Sequence, residues 1–155
     1  MWATQNSRFQ KELLSPSGLC KIHQKMFDST WRWAGRYRRR DTNIGFAWQH
    51  ISENVILLCQ DAKYWIDHEV YDWPERAVRF HHRLVQIHPF PNGNGRHARL
   101  AANLMLEYND QPLLPWGGAH LEKSGNARSK YISALQEADR GSYDQLLLFS
   151  SSRSE

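Results

Sequence analysis

The sequence predicts a single all-α domain. Apolar residues recur at helical spacing in several separate segments, and clusters of Pro, Gly and Asn lie between those segments. The length of 155 residues, with 41% hydrophobic residues, suffices for one core and is too short for two domains of ordinary size. We expect an N-terminal arm at residues 1–14, one domain at 15–150 and a frayed tail at 151–155.

The first clear helix is predicted to begin at Ser15. Ser15 suits a helix cap, and Pro16 suits the first turn because its missing N–H would have no partner there. Apolar positions then repeat at helical spacing, at Leu19, Ile22, His23, Met26 and Phe27. Since His23 lies on this stripe, we expect a core histidine.

Aromatic rings alternate with arginines over residues 31–40, and the residues alone allow two interpretations. Bases of a single-stranded nucleic acid stack on rings while arginines contact phosphates, so the run is compatible with such a ligand. The other interpretation is a helix end whose tryptophans are core and whose arginines are solvated, namely Arg32, Arg36, Arg38, Arg39 and Arg40. These arginines carry much of the net charge of +4.

Two more helices are predicted before residue 90. Apolar spacing from Ile51 to Ile66 indicates the first. The second begins at Asp72, which forms a capping pattern with Glu75, and runs to about His88. Its inner face takes Ala77, His81, Leu84 and His88. We therefore expect packing of this buried face to orient His88.

The segment from His88 to Arg99 contains the most chemically suggestive residues of the chain. Pro89 disfavours helix at His88, and a turn follows, so a new helix should begin near Asn94. The first N–H groups of a helix lack partners inside it, and its dipole makes that end positive. An anion site is therefore predicted there, with glycines that let a phosphate approach the backbone, at Gly93, Asn94 and Gly95.

Two arginines and a histidine complete this segment. Arg96 and Arg99 are three residues apart on one helical face, which favours two charge-assisted contacts to phosphate. His88 lies across the turn, where it can accept a proton. This combination suits a polyphosphate held beside a proton acceptor.

Two helices are predicted after this segment. Residues 109–112 should end the helix that begins near Asn94. A helix with Tyr131 on its apolar side should end at Gly141, and a last one should begin with Ser142 as its cap.

Composition argues against several other classes of protein. No apolar run approaches the ~18 residues of a membrane span, and residues 1–10 lack the apolar centre of a signal peptide, so we expect a soluble cytoplasmic protein. Cys20 and Cys59 lie at apolar positions of predicted helices, so we expect two buried thiols and not a disulfide. Zinc-ligand spacing is absent among His68, His81, His82, His88 and His97.

The run from His88 to Arg99 resembles the signature of Fic domains, His-x-Phe-x-(Asp/Glu)-Gly-Asn-Gly-Arg-x-x-Arg, and departs from it only at Asn92. The resemblance implies transfer of AMP from ATP to a hydroxyl side chain of a target protein, with release of pyrophosphate. It implies that His88 is the general base and that Phe90 anchors the loop. The α- and β-phosphates would be bound by Gly93, Asn94 and Gly95. Arg96 would bind the β-phosphate and Arg99 the γ-phosphate.

Asn92 replaces the acid that binds Mg²⁺ in the family pattern. An amide oxygen ligates a hard cation but brings no charge, so the affinity for the metal should fall. We expect Asn92 to ligate Mg²⁺ through its side-chain oxygen, helped by the nucleotide phosphates.

The resemblance also implies a short β-hairpin flap at residues 41–49. Fic domains carry a Trp-x-Gly-x-(Tyr/Phe)-Arg run before it, which favours solvated arginines over nucleic-acid binding. In the family the hairpin pairs with the main chain of the target and presents its hydroxyl, which here implies Asn43, Ile44 and Gly45 near the tip. The residues by themselves support only a short loop with a glycine, so a passive connection stays an alternative.

Other activities also stay open. The related Doc toxins transfer phosphate, but they carry lysine where this chain has Gly95, which favours AMP transfer here. Weak metal binding at Asn92 would instead leave a non-catalytic nucleotide- or protein-binding module.

Many Fic enzymes are inhibited by a (Ser/Thr)-x-x-x-Glu-(Gly/Asn) helix, whose glutamate pairs with the second signature arginine, here Arg99. The nearest string, residues 133–138, lacks the final Gly or Asn. We expect a chain that is unrestrained or inhibited in trans by a small antitoxin-like partner. Its motifs most resemble small bacterial members on mobile elements, sometimes labelled mobile mystery protein B.

Overall fold

The computed structural model describes residues 2–3, 6–118, 121 and 125–153. These residues form α-helices and no strand, which confirms the all-α prediction. The helices are α1 (Ser7–Gln10), α2 (Pro16–Phe27), α3 (Ile51–Asp67), α4 (Trp73–Ile87), α5 (Asn94–Tyr108), α6 (Asn126–Asp139) and α7 (Asp144–Ser151). One turn of 3₁₀-helix, Trp48–His50, precedes α3.

Side-chain caps begin α2 and α4 where the sequence places them. The hydroxyl of Ser15 accepts a hydrogen bond from the Gly18 N–H at 3.0 Å. The carboxylate of Asp72 accepts one from the Glu75 N–H, also at 3.0 Å. Both helices carry proline in their first turn, so local chemistry alone determines these two starts.

The predicted cap of the last helix is wrong. Helix α7 begins at Asp144 and has no side-chain cap hydrogen bond. The Ser142 N–H donates instead to the Glu137 carbonyl, and the Gly141 N–H donates to the Ala138 carbonyl. Ser142 therefore completes the C-terminal turn of α6, as in a Schellman motif with glycine in the left-handed region.

Helices α4 and α5 form an antiparallel pair at the centre of the core. Alanines on α5 let the two helices approach closely, and α2, α3 and the α6–α7 pair pack around them. The alanines Ala98, Ala101 and Ala102 are fully buried. The turn that joins α4 to α5 lies at one end of this pair and carries the residues predicted for chemistry.

The hairpin expected at residues 41–49 is a loop. Its backbone does not pair across a hairpin. The Phe46 N–H donates instead to the carbonyl of Ile87, at the end of α4, at 3.3 Å. The Thr42 hydroxyl donates to the Ile44 carbonyl, and the Asp41 carboxylate accepts from the Trp48 N–H. Because those partners lie outside a two-stranded ladder, no strand forms.

Two other predictions concern burial and the membrane. His23 is fully buried, as expected for a core histidine. Cys59 is buried, Cys20 is half-buried and both are free thiols. Across the part of the chain that the structure describes, the helices are too short or too polar to traverse a bilayer.

Candidate active site

His88 lies at the boundary between α4 and the turn, in the left-handed region. Its φ is 54° and its ψ is 61°, a conformation that costs about 1–2 kcal/mol for a residue with a Cβ. The side chain is half-buried. His88 therefore does not continue the buried face of α4, as the sequence predicted, and its orientation depends on the turn that surrounds it.

The imidazole of His88 is prepared to accept a proton. Burial lowers its pKa below the ordinary 6.5, and the nearby Arg38 guanidinium lowers the pKa further. Its Nδ1 is buried and has no hydrogen-bond partner among the described residues. Nε2 is consequently the ring atom available to a ligand, in a ring that is neutral at neutral pH.

Phe90 and Asn94 fix the middle of the turn. Phe90 is fully buried and stacks on the His23 ring, with centroids 3.8 Å apart. The Asn94 side chain accepts from the Phe90 N–H at 2.9 Å and donates to the Phe90 carbonyl at 2.8 Å. The Asn94 side chain is thus engaged within the turn, which leaves its backbone for a ligand.

His23 contacts the same turn, which the sequence did not predict. Its Nδ1 accepts from the Gly35 N–H at 2.9 Å, so the proton is on Nε2. That Nε2 donates to the Asn92 carbonyl, also at 2.9 Å. A buried histidine on an apolar stripe signals that partners are needed, but spacing does not say which ones.

A cavity of about 380 Å³ opens beside this turn. Helix α5 begins at its wall without a side-chain cap from any described residue, so the N–H groups of Asn94 and Gly95 stay open to a ligand. Its lining includes all of the predicted phosphate-binding residues and His88: Gly93, Asn94, Gly95, Arg96, Arg99 and His88. The structure thus brings the predicted residues together around one cavity.

Aromatic rings support both arginines of α5. The Arg96 guanidinium lies 4.7 Å from the Phe27 ring centroid and 5.9 Å from that of Trp31. Arg99 lies 5.4 Å from the Tyr131 centroid, and a hydrogen bond joins its side chain to the Tyr131 hydroxyl. The aromatic residues before the signature therefore include direct supports of the site.

The Tyr131 hydroxyl links Arg99 to His81. It lies 2.7 Å from Nε2 of His81, which is fully buried. Because a guanidinium only donates, the hydroxyl accepts from Arg99, and the same hydroxyl is hydrogen-bonded to the imidazole. Burial raises the pKa of Tyr131 to about 12 and keeps His81 neutral by lowering its pKa well below 6.5.

The side chains present do not fit a Mg²⁺ site held by the protein alone. The described lining of the cavity contains no carboxylate, and the Asn92 amide oxygen already accepts from the Gly93 N–H at 2.7 Å. Among the described residues there is no group of three or more His, Cys, Asp or Glu suited to a metal ion. Mg²⁺ in proteins ordinarily takes one or two carboxylates together with substrate phosphates.

The loop at residues 41–47 borders the histidine. Asn43, Ile44 and Gly45 are all exposed, and the backbone of Gly45, with a φ of 97°, approaches the turn. A Cβ on Gly45 would lie 2.6 Å from the His88 Cβ, so only glycine allows this approach.

One predicted solvated arginine is instead buried. Arg38 is 3% exposed, and its guanidinium bonds backbone carbonyls of the turn and of the loop. The prediction was wrong because the spacing of residues 31–40 does not reveal that the α4–α5 turn folds over this position. The other four arginines of the run are exposed.

Comparison with known proteins agrees with the arrangement of this site. Residues 13–106, more than half of the chain, match the model of the Fic/DOC family. The chain belongs to the Fic/DOC family. A Fic-domain signalling protein from Bacteroides thetaiotaomicron has the same fold, with a TM-score of 0.74 and 20% identity over 96% of this chain and 61% of that one.

Curated Fic relatives carry the name protein adenylyltransferase. Fic-1 of Caenorhabditis elegans is 31% identical over 127 residues, which cover 79% of this chain and 23% of that protein. A probable protein adenylyltransferase of Aquifex aeolicus is 37% identical over 78 residues, which cover 50% of this chain and 22% of that protein. This chain spans about a quarter of these relatives, and its similarity to members on mobile elements stays a prediction.

Proposed function

We propose that this chain transfers AMP from ATP to a hydroxyl side chain of a target protein, with release of pyrophosphate. One observation carries the proposal: a neutral histidine opens onto the cavity that contains an uncapped helix N-terminus and two arginines. The names of the curated relatives support the same reaction. We also propose a cytoplasmic location, which two free thiols and a reaction that consumes ATP would suit.

The proposed reaction is a displacement at the α-phosphorus of ATP. The target hydroxyl oxygen forms a bond to this phosphorus while its proton passes to Nε2 of His88. The bond between the α-phosphorus and the bridging oxygen breaks, and pyrophosphate leaves. Backbone N–H groups at the start of α5 stabilise the charge on the α- and β-phosphates, while Arg96 binds the β-phosphate and Arg99 the γ-phosphate.

Asn92 would contribute an amide oxygen to a Mg²⁺ ion that arrives with the nucleotide. None of the steps above depends on this contact. The loop residues Asn43, Ile44 and Gly45 would present the target hydroxyl to His88 by pairing with the main chain of the target.

Of two alternative functions, one has specific support and the other is disfavoured. A nucleotide- or protein-binding module without catalysis is favoured by the absence of a carboxylate from the described cavity lining. A phosphate transferase is disfavoured at Gly95, because a Cβ there would lie 3.3 Å from Nη1 of Arg99. A side chain at this position would crowd the arginine and the phosphates beside it.

Control by a partner in trans fits the surroundings of Arg99. Among the described residues no carboxylate pairs with its guanidinium, and Glu137 lies along a separate groove between α6 and α7. An acidic side chain of a small antitoxin-like partner would reach Arg99 through the cavity and displace the γ-phosphate.

Label transfer into protein tests the proposed reaction. ATP labelled at the α- or γ-phosphate is incubated with a bacterial lysate and the wild type, His88→Ala or the exposed control His68→Ala. We expect α-label on protein with the wild type and the control, and none with His88→Ala. Label from the γ-phosphate alone would establish phosphate transfer, and no label with any variant would support the binding module.

A further inference from the structure

Arg38 is a buried cation whose guanidinium, among the residues that the structure describes, bonds only main-chain oxygens. Its Nε donates to the His88 carbonyl at 2.7 Å and its Nη1 to the Arg40 carbonyl at 2.9 Å. Its Nη2 donates to the carbonyls of Phe46 and, at 3.3 Å, Ile87. One planar guanidinium thus bonds the end of α4, the backbone of His88, and the carbonyls of Arg40 and Phe46. Arg40 precedes the loop at residues 41–47, hereafter the flap loop, and Phe46 lies within it.

These carbonyls explain how the charge is tolerated. Those of Ile87 and His88 lie at the C-terminus of α4, where carbonyls lack partners within the helix and the dipole is negative. Burying a guanidinium without a bonded carboxylate is otherwise unfavourable. In the described structure Asp41 acts on Arg38 only through its charge. The four carbonyls therefore constrain the backbone around Arg38 to one arrangement in which all of them reach its guanidinium.

The backbone that Arg38 holds is strained and tightly interlocked. His88 adopts a left-handed conformation that bulky residues avoid. Gly45 lies so close that an added Cβ would be 2.6 Å from the His88 Cβ and 2.8 Å from Nη2 of Arg38. The Arg38 N–H also donates to the Pro89 carbonyl at 2.9 Å. Movement of the flap loop therefore requires movement of the histidine or loss of these bonds.

We propose that Arg38 is a positioning residue that holds the flap loop and His88 in one register, so that a hydroxyl presented by the loop meets Nε2. This inference rests on the proposed function. Arg38 does not line the cavity, so it contacts neither the phosphates nor the reacting atoms. Arg38 instead sets the distance between the flap loop and His88, which must act together in the proposed reaction.

The test compares Arg38→Met and Arg38→Lys with the exposed control Arg39→Met. Methionine removes all of the guanidinium bonds, whereas lysine keeps the charge without the planar fork. We expect ATP affinity within about twofold of the wild type in all variants, because the phosphate-binding residues are untouched. Since a misplacement of about 1 Å can cost ~100-fold in rate, kcat should fall by that order in Arg38→Met and less in Arg38→Lys.

Two readouts need no catalysis. Amide hydrogen exchange at residues 41–47 should become faster in Arg38→Met, because the loop loses its attachment. The pKa of His88, followed by NMR titration, should rise because the neighbouring positive charge is gone. A lower yield of folded protein would change neither the pKa nor the exchange pattern of the folded fraction.

Unchanged loop exchange in Arg38→Met would overturn the proposal, as would a kcat that falls only in proportion to the folded fraction. If Arg38→Met does not fold, loop exchange in Arg38→Lys decides the question in the same way. Absence of AMP transfer in the wild type would remove the proposed function. Even then, faster hydrogen exchange in the flap loop and a raised pKa of His88 in Arg38→Met would show that Arg38 connects the flap loop to His88.

Discussion

At the scale of single residues, the site depends on groups whose charge state is set by burial. His88 stays neutral because its ring is partly desolvated and lies near a cation. Asn92 stays uncharged by its chemistry, and it is the one departure from the family signature. In the proposed reaction, His88 would determine when a proton can be accepted, and Asn92 would determine how strongly a Mg²⁺ ion that arrives with the nucleotide is bound.

The rate of transfer should depend on pH through His88. Only the neutral ring accepts a proton, so the rate should rise with pH through the lowered pKa of His88 and then level off. The midpoint of this rise in kcat/KM, measured from pH 4 to 8, should lie below 6.5. A midpoint at or above 6.5 would contradict a desolvated base, and the same profile in His68→Ala serves as the control.

Asn92→Asp should raise the apparent affinity of the protein for Mg²⁺. The substitution keeps the shape of the side chain and adds the charge that a hard cation favours. We expect an apparent Mg²⁺ affinity at least about tenfold higher, with a faster rate at low metal, since tenfold corresponds to about 1.4 kcal/mol. The measurement is a Mg²⁺ titration of label transfer at fixed ATP, with Asn92→Ala as the matched control. Equal curves for the three proteins would exclude Asn92 from the metal site.

At the scale of elements, the site forms where three helices meet. Helix α5 supplies Arg99, α6 supplies Tyr131 and α4 supplies His81, and two hydrogen bonds join them in a row. The orientation of Arg99 therefore depends on how α6 packs against the central pair. The contact to the γ-phosphate that we propose for Arg99 would therefore depend on helix packing.

Tyr131→Phe tests this chain of contacts. Arg99 loses a partner that accepts its hydrogen bond, and hydrogen bonds to charged groups contribute about 1.5–3 kcal/mol. We expect the KM for ATP to rise by about tenfold or more and the preference of the site for ATP over ADP to shrink. Nucleotide binding measured by calorimetry provides the second readout. The exposed Tyr64→Phe is the control, and an unchanged ATP preference in Tyr131→Phe would exclude a role in holding Arg99.

At the scale of the whole molecule, several buried histidines are neutral in the folded state. Burial lowers the pKa of His97 to about 3 and lowers the pKa values of His23, His81 and His88 as well. In the unfolded chain each would titrate near 6.5. Below that pH the unfolded state binds more protons than the folded state, so stability must fall as the pH falls.

The free energy of unfolding should therefore decrease from about pH 6.5 downward. Each histidine that stays neutral contributes a slope of about 1.4 kcal/mol per pH unit between its unfolded and its folded pKa. Urea unfolding at pH 7, 6 and 5 measures this slope. His97→Gln should flatten it, whereas the exposed His50→Gln should not, and a stability independent of pH over this range would contradict the buried neutral histidines.

The helix boundaries follow from local sequence. The Ser15 and Asp72 caps and the glycine before α5, Gly93, act within three or four residues, so their effects can be deduced from spacing. The residues that the signature predicts to bind phosphate likewise line one cavity, because they share one turn and the first turns of one helix. At Ser142 and in the flap the predictions failed because backbone groups bond the ends of α6 and α4. At Arg38 and His88 they failed because the turn between α4 and α5 determines burial and orientation.

By itself the sequence determined the helical fold and the starts of α2, α4 and α5, since these depend on chemistry within a few neighbouring residues, and its signature run indicated the family. The tertiary structure alone decided which buried polar groups meet. Arg38 bonds a carbonyl 50 residues away, His23 bonds one 69 residues away, and His81 meets Tyr131 across 50 residues. A buried donor or acceptor must find a partner, but which partner lies within reach depends on how distant segments pack, and periodicity along the chain does not contain that information.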